Sequence, residues 1–200
     1  MARPVLVALL ALALATPASA QIAWESPPFI SPIAPAGLSL FVLRADADRL
    51  GALATYRPEA GAAGLGYRFA ITEENGPDED VAIAGGIDVS GFLAQGIENA
   101  EVDVAWWSGI GASVGNETAV SIPLGIIVGW SGESDTGVVF SPYGGGHVAL
   151  DFVSGEGDDV DFSGAIDIGG DIVLTSGWMI RFGASFGDRE ALALGFKLPS

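Results

Sequence analysis

Between Val120 and Trp130 the chain alternates: Val120, Ile122, Leu124, Ile126, Val128 and Trp130 fall on one side, Ser121, Pro123, Gly125, Ile127 and Gly129 on the other. A period of two is the mark of a β-strand. From Leu65 onward the same alternation predicts strands over 65–72, 81–93, 101–114, 118–130, 138–153, 159–174, 178–186 and 190–198, each bounded by Gly, Asp, Asn, Ser or Glu. Two further short strands, 38–44 and 50–57, alternate poorly. No amphipathic helix is evident after the first twenty residues, and no uninterrupted apolar run reaches the length of a transmembrane helix. The connections at 115–117, 175–177 and 187–189 are hairpin-sized, so neighbouring strands pair antiparallel. A meander of this kind removes its exposed edges by closing. The pattern predicts an all-β, closed, antiparallel up-and-down barrel of eight strands, or ten if 38–57 contributes a hairpin.

The two faces of these strands differ in kind. One is aliphatic and aromatic: Val102, Val104, Trp106, Ile110, Ala112 and Val114 in one strand, Val160, Phe162, Ile166, Ile168, Ile172 and Leu174 in another. The other carries small residues with scattered charges, including Arg68, Asp88, His147, Asp151, Asp167, Asp171, Arg181 and Lys197. A strand face turned to water favours Thr, Lys, Glu and Gln, whereas small residues suit a crowded interior. The expectation is therefore a transmembrane barrel, with Val, Ile, Leu and Phe toward lipid and the small and charged set filling the lumen. Trp130, Phe152 and Trp178 lie near strand ends, where interfacial aromatics belong, while Trp106 lies nearer mid-strand. The competing arrangement is a secreted soluble barrel with the apolar face inside, binding an apolar small ligand.

Residues 1–20, "MARPVLVALLALALATPASA", combine Arg3, an apolar core from Val5 to Ala15 and the ending Ala18-Ser19-Ala20. These are the features of a secretory signal peptide, with the mature chain beginning at Gln21. Residues 21–37 are proline-rich and read as an extended leader, leaving 38–200 for the barrel domain. With no cysteine, the fold has no disulfide to staple it. The formal charge of -17, with only eight Lys and Arg, excludes a phosphate-backbone binder, so no nucleic-acid partner is expected.

Export, acidity, hydrophobicity and alternating strands together resemble the small outer-membrane β-barrel proteins of Gram-negative-type bacteria, the broad class that contains the outer membrane protein A membrane domain. The resemblance covers about Leu65 to Leu198 plus the signal peptide and is architectural. It implies a cell outer-membrane location, lipid as the surrounding partner, a monomer, and a structural, envelope or narrow-channel role without catalysis or cofactor.

Candidate chemistry comes from counting outward from the turns. Asp171 falls opposite Arg181, with Lys197 near it on the next strand, which predicts a structural ion pair inside the lumen. His147, the only histidine, is placed beside Ser121 and diagonal to Asp167. Serine, histidine and aspartate within reach form the layout of a nucleophile, base and orienting acid, and so of a membrane-embedded lipid-modifying hydrolase. The hydrogen-bonded interior histidine is the simpler reading. Asp151, Glu156, Asp158, Asp159 and Asp161 gather oxygen donors at one rim, where divalent cations would bind, but without the spacing of a dedicated calcium loop. "GAAGLG" at 61–66 lacks the helix a nucleotide loop needs, and "NET" at 116–118 is a sequon in a tight turn.

Overall fold

A computed structural model of the chain describes residues 22–45, 49–73, 81–97, 101–115, 117–154 and 159–197. Residues 1–20, expected to be a signal peptide, lie outside these residues. The strands are β1 (Gly37–Ala45), β2 (Arg49–Arg57), β3 (Gly64–Glu73), β4 (Val81–Ile97), β5 (Val102–Val114), β6 (Thr118–Trp130), β7 (Gly132–Glu133), β8 (Val139–Ser154), β9 (Asp159–Val173), β10 (Met179–Gly187) and β11 (Ala191–Lys197). Apart from β7, consecutive strands pair antiparallel. β11 returns to β1, while β8 pairs with β6 and carries the two-residue β7 on its edge. The result is a closed up-and-down barrel of ten strands with one short strand outside it. The hairpin over 37–57 is part of the wall, so the larger of the two expected strand numbers is the one found.

The alternation resolves into an outside and an inside as the small-residue face requires. Large apolar side chains project outward from every wall strand, among them Val42, Leu50, Phe69, Ile83, Ile110, Ile126, Val148, Ile166, Phe182 and Leu194. The inward positions of β3 are Gly66, Arg68, Ala70 and Thr72, and those of β9 include Ser163, Ala165, Asp167, Gly169 and Asp171. An arrangement with the aliphatic set enclosed is the opposite of the one observed.

Residues 22–36 do not trail away from the barrel. They begin with a single helical turn, α1 (Ile22–Glu25), and continue as an irregular segment inside the lumen, where Trp24, Phe29 and Ile30 are almost fully buried. Two rims can be distinguished. The near rim holds the last residues of β11 and the turns 58–63 and 174–178; the far rim holds the end of β5, the start of β6 and the turn 188–190. Glu25 pairs with Arg49 and the Trp24 carbonyl accepts from Arg189, both at the far rim, whereas Ala34 accepts from Gly61 N–H at the near rim. The segment therefore runs the length of the lumen before β1 starts the wall.

Candidate functional site: the occupied lumen

The inner wall is a set of paired charges. Five of the eight basic residues, Arg49, Arg57, Arg68, Arg181 and Arg189, are buried there. Arg57 donates to Asp88 at 2.9 Å and to Ser90 Oγ at 2.7 Å. Arg189 donates to Asp151 Oδ2, to Ser163 Oγ at 2.9 Å and to Ser121 Oγ at 3.3 Å. Arg181 Nε donates to Asp171 Oδ1 at 2.8 Å. Burying a charge without a partner is expensive, so this pairing is what allows arginine and aspartate inside at all.

Four of the arginines also grip the N-terminal segment. Arg49 Nη2 donates to both Glu25 oxygens, at 2.9 and 3.0 Å. Arg68 donates to Ser26 Oγ and the Pro28 carbonyl while its guanidinium lies 4.1 Å from the Trp24 ring centroid. Arg181 reaches the Phe29 carbonyl at 2.6 Å and Arg189 the Trp24 carbonyl at 3.1 Å. An irregular buried segment cannot satisfy its carbonyls by a ladder, and the five-donor guanidinium fork supplies the missing donors. Phe29 sits at φ 53, in the left-handed region, with its ring stacked 4.1 Å from that of Phe41. Such a conformation costs a bulky residue about 1–3 kcal/mol and persists where the surroundings fix it.

Inward glycines make room for this filling. A Cβ at Gly109 or Gly111 would collide with the Trp24 ring, and one at Gly125 with Trp107 and His147. Trp24 and Trp107 lie 5.6 Å apart by ring centroid, and Trp107 and His147 5.4 Å apart. The stripe of small residues is thus the negative image of an aromatic row. No protein-family model, characterised protein or solved structure matches this chain.

His147 Nδ1 lies 2.6 Å from Asp167 Oδ2, and Ser185 Oγ donates to Asp167 Oδ1 at 2.6 Å. Ser121 is elsewhere. The residue opposite His147 on β6 is Gly125, and Ser121 faces Asp151 instead. The hairpin continues through β7 and turns at Ser134–Val138, two residues later than counting from the end of β6 suggests. A two-residue displacement of the apex becomes four residues of register across the pair. Among the described residues no hydroxyl hydrogen-bonds to His147 Nε2, which is buried. The bond that would activate a nucleophile is missing from this arrangement.

The remaining expectations divide in the same way. Asp171 and Arg181 are cross-strand partners. Lys197 lies one inward position beyond Gly195, the partner of Arg181, and stands opposite Met179 at the near rim. Of the proposed cation ligands, Asp151 is buried against Arg189, and Asp161 Oδ1 accepts from the Phe162 N–H. Glu156 and Asp158 lie outside the described residues, as does the Asp159 side chain. Among the described residues no three His, Cys, Asp or Glu converge as metal ligands. Counting missed Arg49, Arg57 and Arg189 as lumen residues. For the first two the signal was present, because both share the parity of inward Leu53 and Thr55.

Proposed function

We propose that this protein is an exported, monomeric outer-membrane β-barrel whose lumen is sealed by its own N-terminal segment, and that its role is structural or envelope-related and non-catalytic. The observation that carries this reading is the outward face. It presents aliphatic and aromatic side chains around the whole circumference, with Val42 68% and Ile166 64% exposed, while five arginines and four aspartates are enclosed. In water, so continuous an apolar surface would be an aggregation liability. In a bilayer it is the surface the solvent demands, and a closed barrel leaves no backbone group unpaired. Tyr56, Tyr67, Trp130 and Trp178 are exposed toward the near rim, which suits an interfacial girdle. The filled lumen favours the structural reading over the channel.

Substitution at Ile126 tests the outward face. Ile126 is exposed at the middle of β6, so Ile126→Arg should cost about 2–4 kcal/mol in folded, lipid-reconstituted protein if the site meets acyl chains. Facing water, the same change stays within about 0.5 kcal/mol. A fluorophore at position 126 should be quenched by lipid-borne quenchers, and one at the inward Ser121 should not. An unquenched label at 126 refutes the membrane reading.

Orientation gives a second test. The wall begins and ends at the near rim, the periplasmic side for an even-stranded barrel. The lumen segment carries Ile22 to the opposite rim. An epitope inserted just before Ile22 and a cysteine at Asp188 are expected to react together from outside intact cells, with Ser176→Cys unreactive. Exposure of the epitope on the same side as Ser176 would contradict the threading.

A further inference from the structure

We propose that the outer surface of the barrel carries a binding groove for one lipid acyl chain, across β6, β8 and β9 and reaching the end of β10. This rests on the membrane reading above and adds to it a preferred site.

The groove has a volume of about 780 Å³ and is walled by Trp106, Leu124, Ile126, Val148, Ile166 and Phe186. That volume is in the range of small-ligand sites. Its floor is made where outward positions on adjacent strands lack side chains: Gly146 on β8, opposite Ile126 and Ile166, and Gly164 on β9, opposite Val148.

These two glycines are not demanded by the fold. Neither has a positive φ. A Cβ on Gly164 would meet nothing closer than 3.8 Å, and one on Gly146 would meet only the Ala165 carbonyl at 3.3 Å. The inward glycines, by contrast, are crowded by Trp24 and Trp107. At two other outward glycines the barrel covers the gap itself. The Trp106 indole lies over its cross-strand partner Gly91, and the Phe182 ring over its partner Gly170. Gly146 and Gly164 have only aliphatic cross-strand partners, which border the gap without covering it.

The lining identifies the occupant. No charged side chain lines the groove, and the His147 imidazole belongs to the lumen, so neither a headgroup nor a polar peptide finds a partner there. Thirteen residues line it, against about 20–30 per side in a stable protein interface, which is too little for a second copy. A flexible hydrocarbon chain matches a narrow, wholly apolar depression.

The test uses the full mature chain carrying Trp130→Phe and Trp178→Phe. Trp106 then reports from the groove wall, beside the enclosed Trp24 and Trp107. The protein is reconstituted in dioleoylphosphatidylcholine vesicles containing increasing fractions of phosphatidylcholine brominated in its acyl chains. A preferred site gives an early phase of quenching at low fractions, followed by the general phase from surrounding lipid. Gly164→Leu should abolish the early phase and leave the general one. Gly85→Leu is the control: it fills an outward glycine away from the groove, where a Cβ meets nothing closer than 3.8 Å, and should leave both phases intact. A single phase unchanged by Gly164→Leu overturns the groove and leaves the membrane reading standing. Protection of Trp106 while Trp178, restored in a sister variant, is quenched means that a second copy covers the face, and overturns the acyl-chain assignment. Absence of quenching at both tryptophans in folded protein overturns the membrane reading and the groove with it.

Discussion

In planar bilayers, the chain lacking residues 22–36 is expected to conduct in resolved steps, while the intact protein gives none. Ten strands enclose a wider interior than the eight that side chains alone can fill. Here the difference is made up by Trp24, Phe29 and Ile30, buried against Phe41, Leu43, Leu53 and Trp107. Burial of each such side chain contributes about 1.5–3 kcal/mol, and the arginine contacts to Glu25, Ser26 and the carbonyls of Trp24, Pro28 and Phe29 add to it. A segment held on that scale is a fixed filler rather than a gate that thermal motion opens. The current through the shortened protein should also be weakly selective. A lumen read only by its carboxylates, Asp88, Asp103, Asp151 and Asp167, would prefer cations. In the folded barrel Asp88 pairs with Arg57 and Asp151 with Arg189. A silent shortened protein that remains folded, shown by its resistance to unfolding on a denaturing gel, would mean that the lumen closes without its filler.

How legible the fold was depended on what each inner face touches. From Leu65 onward most inward positions are small or charged, Trp107, Ile127 and Tyr143 being exceptions, and the outward ones are apolar, so period two is plain. In β1 the outward Leu38, Leu40 and Val42 alternate with inward Phe41 and Leu43, and apolar residues occupy both faces. Those inward residues pack on Phe29 and Ile30, a contact invisible to strand periodicity. Poor alternation over 38–57 was thus the trace of the lumen segment itself. The proline-rich 22–36 had no period to read, because its shape is set by guanidinium donors arriving from β2, β3 and β10 and from the turn at Arg189. Candidate chemistry followed turn length. Around 175–177 the turn is tight and Asp171 meets Arg181; around 131–138 the short β7 moved the apex, and Ser121 parted from His147.

Arg181→Ala is expected to be the most damaging single substitution in the lumen, lowering stability by about 3–5 kcal/mol, the usual cost of leaving one partner of a buried ion pair alone. The side chain is 1% exposed and joins four parts of the molecule. Its Nε and Nη2 hold Asp171 on β9 at 2.8 and 3.3 Å, Nη1 donates to Ser39 Oγ on β1 at 3.2 Å, and Nη2 reaches the Phe29 carbonyl at 2.6 Å. Truncation leaves a carboxylate that is 2% exposed with the Ser31 hydroxyl still donating to it, and strips the Phe29 carbonyl of its arginine donor. Arg181→Lys should rescue only part of the loss, since an ammonium cannot reproduce the bidentate fork. The decisive comparison is Arg181→Met with Asp171→Asn. Removing both charges together should cost less than Arg181→Ala alone, because the penalty comes mainly from the stranded carboxylate. Urea unfolding of the reconstituted protein, followed by tryptophan emission, measures these variants together with Arg181→Met and Asp171→Asn singly. A double variant as unstable as the sum of its single changes would show that Arg181 acts through the lumen segment and Ser39 rather than through Asp171.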